Sequence, residues 1–303
     1  MIHRRTLLLG ALALPLAACA TRTAAASPPP PPTTTTSPPP TSVDTAPRFV
    51  ALERKYRTRL GLYAVATSTG ATLAYRADER FAFCSTFKGL VAAAVLNGHP
   101  LSYLDTKVAI TRSDVDSISP VTEQHIGSTM TIRQLCDAAV RYSDGTAGNL
   151  LMRAIGGPAA LTSYLRGLGD QVSRMDQYEP QLNRNSPHDP RDTTTPRALA
   201  GDYRQLVLGT ALPAAARSLL TTWLRTSTTG AQDVRAGVPK DWTVADKTGH
   251  GDYGRANDVA IAWPPGAPPL VIAIMSDREG YHADATYAII AEAAAYAATT
   301  VMS

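Results

Sequence analysis

The stretch FAFCSTFKGL, Phe81 to Leu90, places Ser85 and Lys88 three residues apart inside an otherwise apolar run. The apolar residues continue to Leu96, as expected of a helix buried on all sides. If the helix starts at Ser85, then Ser85 and Lys88 share a face one turn apart. The hydroxyl then sits at the helix N-terminus, where unpaired N–H groups and the positive end of the dipole favour a developing negative charge. Serine is a poor nucleophile until a base takes its proton, and a lysine in a partly desolvated pocket can lose its own proton and serve as that base. Taken alone, the pair also fits an N-cap serine beside a snorkelling lysine.

Around this stretch the chain organises itself by period. Before it, Arg48 to Arg59 carries a helical stripe of Phe49, Val50, Leu52, Tyr56 and Leu60. Leu62–Ala66 and Ala71–Tyr75 flank TSTG and read as a β-hairpin. After it, Thr131–Tyr142, Thr146–Arg153 and Ala159–Leu168 read as helices. Asp176 to Pro196 has no clear period and four prolines, so it reads as a long functional loop. Trp242–Lys247, Asp258–Trp263 and Leu270–Met275 are strand candidates, and Ala283–Val301 is an alanine-rich helix. Strands at both ends with helices between them favour one antiparallel sheet built from both termini, beside a mainly helical lobe. The cleft between sheet and helices is the natural place for a site.

The first residues do not belong to this fold. Residues 1–18 read as a signal peptide, with Arg4 and Arg5 ahead of an apolar core from Leu7 to Leu16. Leu16-Ala17-Ala18-Cys19 resembles a bacterial lipobox, which makes Cys19 the expected lipidation site, and Arg4-Arg5 resembles a twin-arginine export signal. Residues 19–46 are rich in proline and threonine, lack apolar mass, and read as an extended disordered tether. Residues 47–303 are then expected to be the folded domain of an exported cell-envelope lipoprotein, which is secreted if the tether is cut. The net charge of +4 is mild, and no basic run with interleaved aromatics points to nucleic acid. The membrane is met only through the lipid anchor. Cys84 and Cys136 could pair or stay free as far as the sequence goes. His125, His188 and His282 show no ligand spacing, so neither a metal nor a cofactor is expected.

Three further motifs give the opening pair its context. SDG spans Ser143–Gly145 between two helices, EPQLN spans Glu179–Asn183 in the long loop, and KTG spans Lys247–Gly249 at a strand end. Singly these read as a helix cap, a solvated loop charge and a strand-end turn. In this order, together with SPVTEQH, LCDAAVRYSDGTAGNLL, RDTTTP and DKTGHGDYGRAND, the chain resembles the class A serine β-lactamases, above all the chromosomal enzymes of mycobacteria and related actinobacteria. The resemblance covers essentially all of Pro47 to Ser303. It implies an α+β sandwich of the serine β-lactamase/DD-peptidase type: a five-stranded antiparallel sheet flanked by helices, with a mainly helical lobe. It also implies β-lactam antibiotics as substrates, with β-lactamase inhibitors as candidate ligands; a monomer is the expectation for the oligomeric state.

The resemblance assigns roles residue by residue. Ser85 attacks the β-lactam carbonyl and becomes acylated, and Lys88 helps activate it. The N–H groups of Ser85 and His250 form the oxyanion hole, where one donor is typically worth roughly a hundred- to a thousand-fold in rate. Ser143 relays a proton to the leaving nitrogen. Lys247, Thr248 and Gly249 bind the substrate carboxylate end. Glu179 and Asn183 hold the water that opens the acyl ester, and the Glu179–Pro180 peptide bond is expected to be cis.

Departures from the family pattern bear on substrate range. Gly145 stands where asparagine usually touches the substrate amide, and His250 adds a titratable ring at the carboxylate end. The arginine that normally reaches the carboxylate is replaced by Ala256 and Asp233 at its two usual positions; Arg278 is the candidate substitute, the alternative being a surface arginine near a turn. Gln177 replaces the arginine that usually clasps Asp192 across the loop neck. Arg174 and Asp176 remain to pair, and a more mobile loop than in enterobacterial relatives is expected. The partner positions of both family disulfides are not cysteine, so Cys84 and Cys136 are expected as free buried thiols. Two rival readings are a D-alanyl-D-alanine peptidase, which generally lacks the E-P-x-L-N loop, and a non-catalytic β-lactam-binding lipoprotein. Glu179 and Asn183 speak against the second.

Overall fold

Alternation along the late strands sends successive side chains to opposite faces, and a sheet that buries both faces needs a layer of helices on each. The structure, a computed structural model, describes residues 46–115 and 118–302. The expected export signal, the lipidation site Cys19 and the tether up to residue 45 lie outside the described residues. In chain order, α1 (Ala46–Tyr56) leads to β1 (Arg59–Ala66), β2 (Thr72–Tyr75) and the short β3 (Phe81–Ala82). The helical lobe follows: α2 (Phe87–Gly98), β4 (Lys107–Ala109), β5 (Thr129–Thr131), α3 (Ile132–Arg141), α4 (Gly145–Ala154) and α5 (Pro158–Gly167). Then come β6 (Thr193–Thr194), α6 (Pro196–Val207), α7 (Ala214–Arg225) and α8 (Val234–Gly237). The chain ends with β7 (Thr243–Gly251), β8 (Arg255–Trp263), β9 (Leu270–Asp277) and α9 (Tyr287–Met302).

The main sheet has five antiparallel strands in the order β2-β1-β9-β8-β7, so both ends of the described chain build it, as expected. Its register sets Leu62 opposite Tyr75, Asp258 opposite Ile274 and Lys247 opposite Val259. Residue parity divides the core in two. Val259, Ile261, Val271, Ala273 and Met275 face the lobe that contains α2 to α7. Ala260, Ala262, Leu270, Ile272 and Ile274 face α1, α8 and α9. Each fully buried Leu, Ile or Phe contributes about 1.5–3 kcal/mol, so both layers are needed to hold the central strands.

Two features differ from the sequence reading. The buried helix starts at Phe87, not Ser85. Cys84–Thr86 form a 3₁₀ turn, and the Thr86 hydroxyl donates back to the Phe83 carbonyl at 2.7 Å. Two helices after the long loop, α6 and α7, had no counterpart in that reading. Thr195 caps α6 by accepting from the Ala198 N–H at 3.2 Å, with Pro196 at the first helical position. Tyr203 of α6 then donates to the Thr86 carbonyl at 2.7 Å, and the space it needs exists because residue 89 is glycine: a Cβ there would lie 2.1 Å from the Tyr203 hydroxyl.

Candidate active site

The turn carrying Ser85 is held by its surroundings rather than by propensity. Cys84 has a φ of 45°, a left-handed conformation that costs an L-residue of order 1–3 kcal/mol and persists only where packing imposes it. Gly249 of β7 lies flush against the turn: an added Cβ would sit 2.9 Å from the Phe83 carbonyl oxygen and 3.1 Å from the Ser85 nitrogen. The β7 backbone at Gly249 and His250 therefore borders the Ser85 N–H, as an oxyanion hole requires.

Lys88 is buried, with its stem against α4, where Gly148 leaves room: a Cβ there would lie 3.0 Å from the Lys88 Cε. Its ammonium reaches the Ser85 Oγ at 2.8 Å, the Ser143 carbonyl at 2.7 Å and the Glu179 Oε1 at 2.8 Å. An ammonium only donates. The Ser85 oxygen thus accepts from Lys88, and its own proton goes to the Glu179 Oε1, 3.1 Å away. Ser85, Lys88 and Glu179 close a triangle although Glu179 comes from the long loop.

Glu179 is brought there by Asn149 of α4, which the sequence reading did not single out. The Asn149 Nδ2 donates to the Glu179 carbonyl at 2.8 Å, and the Glu179 N–H donates to the Asn149 Oδ1 at 3.0 Å. The Glu179–Pro180 bond is cis, as expected. The 3₁₀ turn Gln181–Asn183 follows, and the Asn183 Oδ1 is buried without a protein partner.

The usual arginine–aspartate clasp across the loop neck is absent, and Arg174 pairs with Asp176 at 2.5 Å as anticipated. The neck is closed by other means. The buried Asp192 carboxylate accepts from the N–H groups of Asp176 and Gln177 at 2.8 and 2.9 Å, and from the Asn185 amide at 2.9 Å. Burial pushes its carboxyl above the usual range despite these donors.

Ser143 has a φ of 58°, and its Oγ accepts from the Lys247 ammonium at 3.1 Å. The next residue, Asp144, is a structural hub also missed from sequence. Its buried carboxylate caps α4 through the Ala147 N–H and accepts from the Val121 and Thr122 N–H groups and the Thr122 hydroxyl, all within 2.9 Å. Gly145, the first residue of α4, brings no side chain to the cleft.

At the carboxylate end, burial first and Lys88 second depress Lys247 to about 7. The Thr248 hydroxyl bonds the hydroxyl of Thr229, a residue that no motif marked, at 2.6 Å. His250 is depressed to about 4, by burial and then by Lys247, so this ring stays neutral at ordinary pH rather than titrating as the sequence suggested. Asp233 is buried, and burial with Asp246 beside it pushes its carboxyl up to about 7. Arg278 is not brought to the site. Its parity continues that of Ile272 and Ile274, and its guanidinium donates to the Thr58 hydroxyl and the Tyr56 carbonyl at 2.7 Å and to the Thr286 hydroxyl, on the α1/α9 side. Cys84 and Cys136 are free and buried, as expected. Among the described residues, no three His, Cys, Asp or Glu converge in a way that could hold a metal ion.

A cavity of about 590 Å³ adjoins the site at Asn183 and His250, with Ile118, Pro180, Arg184, Gly251 and Asp252 completing its lining. Ile118, 85 % exposed, stands at its mouth. A nucleophilic serine touched by a lysine and a glutamate, beside main-chain N–H groups and a cationic anchor, defines a serine acyl-transfer hydrolase on an α+β fold. Comparison with known proteins narrows this. Residues 45–301 match the model of the β-lactamase enzyme family. A β-lactamase of Mycobacterium tuberculosis is 59 % identical over 257 residues, 83 % of this chain and 84 % of that protein. One from Amycolatopsis lactamdurans is 52 % identical over 253 residues, 84 % of each chain. The crystal structure of a β-lactamase from Desulfarculus baarsii superposes with a TM-score of 0.83 at 48 % identity, covering 85 % of this chain and 97 % of that one. The chain belongs to the β-lactamase enzyme family, as a class A member related to the actinobacterial enzymes.

Proposed function

We propose that the chain hydrolyses the amide bond of penicillins and cephalosporins through an acyl-enzyme on Ser85. The observation that carries this reading is the Ser85–Lys88–Glu179 triangle, which aims the serine proton at a carboxylate while a lysine supports the oxygen. Ser85 Oγ bonds to the lactam carbonyl carbon as Glu179 takes its proton, with the oxyanion facing the N–H groups of Ser85 and His250. The C–N bond breaks and the ring nitrogen gains a proton from Ser143, Ser143 is reprotonated from the lysine side, and Lys88 recovers its proton from Glu179, 2.8 Å away, so the carboxylate is free again. One proton leaves Ser85 and one reaches the nitrogen. A water between Glu179 and Asn183 then adds to the ester carbonyl, Glu179 takes its proton, and Ser85 Oγ leaves with a proton restored. Lys247 and Thr248 hold the substrate carboxylate. The test is mass analysis of protein quenched during turnover of a chromogenic cephalosporin. A ring-opened adduct on the Ser85 peptide, absent in Ser85→Ala together with turnover, supports the reading. Turnover that survives Ser85→Ala overturns it.

We also propose that the chain acts as a monomer, exported and anchored through lipid at Cys19, with the residues between Cys19 and α1 as the tether. No helix among the described residues is long and apolar enough to cross a membrane. Cys19→Ala in the full chain should move activity from the membrane fraction to the medium. Unchanged partitioning would refute the anchor.

A further inference from the structure

Arg255 opens β8 and is 1 % exposed, yet none of the ion pairs among the described residues includes it. Its guanidinium instead serves two main-chain carbonyls of the long loop. Nη1 donates to the Asn183 carbonyl at 2.9 Å and Nη2 to the Asn185 carbonyl. Its Cζ lies 5.2 Å from the Tyr253 ring centroid, a cation–π contact that orients the plane. A buried cation without a counter-ion is costly, and what it supplies here is the pair of hydrogen bonds that holds these two carbonyls.

The held segment carries the hydrolytic water's second partner. Asn183 is wedged from the other side by β7: a Cβ on Gly251 would lie 3.2 Å from the Asn183 carbonyl oxygen and 3.4 Å from the Asn183 Cβ. Asn185, the other residue held, is the one whose amide bonds the Asp192 carboxylate at the loop neck. Fixing carbonyls on both sides of residue 184 limits rotation of the main chain at Asn183, whose buried Oδ1 has no protein partner. Both of its hydrogen bonds go to the long loop and neither to Ser85 or Lys88.

We propose that Arg255 is a positioning residue for the hydrolytic step, holding the Asn183 main chain so that the Asn183 amide and the Glu179 carboxylate face the same water. This rests on the acyl-enzyme reading above. Loss of the guanidinium slows deacylation and leaves acylation intact, because it holds Asn183, which acts only on the hydrolytic water, while Glu179 is held separately by Asn149. The variants are Arg255→Met, which removes the charge at similar volume, and Arg255→Lys, whose ammonium can serve one carbonyl. With a chromogenic cephalosporin, Arg255→Met should lower kcat and KM together by about 10- to 100-fold, the scale of a misplacement of about 1 Å. Its kcat/KM should stay unchanged, the Ser85 adduct should persist in quenched samples, and Arg255→Lys should fall between. In an Asn183→Ala background, Arg255→Met should add little further loss. A fall in kcat/KM at constant KM without an adduct, native kinetics in a folded variant, or additive losses would overturn the proposal. If circular dichroism shows Arg255→Met unfolded, the same readings on Arg255→Lys decide. Absence of turnover and adduct in the native enzyme would fail the acyl-enzyme reading instead.

Discussion

Asn149→Ala isolates how the long loop delivers its carboxylate. The substitution removes both hydrogen bonds to the Glu179 backbone, at 2.8 and 3.0 Å, without touching a side chain that reacts. Glu179 is 3 % exposed, so water does not readily replace these partners. Each bond contributes about 0.5–1.5 kcal/mol net, which gives a stability loss of about 1–3 kcal/mol. For a domain of this size that lowers Tm by about 2–4 °C per kcal/mol, so by about 4–8 °C for a loss near 2 kcal/mol. The kinetic effect should be larger. A Glu179 carboxylate displaced by about 1 Å costs about a hundred-fold, so kcat should fall by that factor in a protein that remains folded at assay temperature. Asn149→Asp keeps the acceptor for the Glu179 N–H and loses the donor, so it should sit between. Thermal unfolding by circular dichroism and steady-state hydrolysis measure both quantities. A folded Asn149→Ala enzyme with kcat within three-fold of native would refute the idea that this pair of bonds sets the glutamate.

Three other outcomes follow from the site. Gly249→Ala puts a Cβ 2.9 Å from the Phe83 carbonyl oxygen and should cost about 10²–10³ in kcat/KM by displacing the oxyanion donors, while a near-native value would show that β7 can yield there. Lys247 is depressed to about 7 in the free enzyme, so its ammonium is present below that pH and lost above it. KM for carboxylate-bearing β-lactams should therefore rise with pH through that value, Lys247→Arg should flatten the profile, and no limb near 6.5 should come from His250, held at about 4. Burial raises the thiol of Cys84 to about 12 and raises Cys136 further, so both should resist Ellman's reagent until the protein unfolds, and prompt labelling of the native enzyme would contradict their burial.

The elements legible in the sequence are those with local signatures. The TSTG hairpin, the three late strands and the uniformly apolar run after Ser85 carry their own period, and each stands where expected. Motif order placed Ser85, Lys88, Ser143, Glu179 and Lys247, and the structure gathers them. The residues missed act across long sequence separations. Asn149 meets Glu179 from 30 positions away and Arg255 meets Asn183 from 72, and neither pairing leaves a mark on either segment alone. Asp144 lies inside a motif, but its four donors come from α4 and from a loop over twenty residues earlier. Arg278 was misplaced because strand parity, set by the register of β8 and β9, decides which face a strand-end side chain takes. The Ser85 turn was read as helix because 3₁₀ and α starts share composition. What separates them here is the left-handed Cys84 and the β7 backbone against it.

The most direct test of the account is to follow chromogenic cephalosporin hydrolysis and intact protein mass together in the native enzyme and in Glu179→Ala. The account predicts many turnovers with little standing adduct in the native enzyme, and in the variant an adduct on Ser85 that forms more slowly but persists, because Lys88 remains within 2.8 Å to take the serine proton while no base is left for the water. A native enzyme that opens about one ring per chain and keeps the adduct would show that Glu179 does not deliver hydrolysis, and that the chain captures β-lactams rather than destroying them.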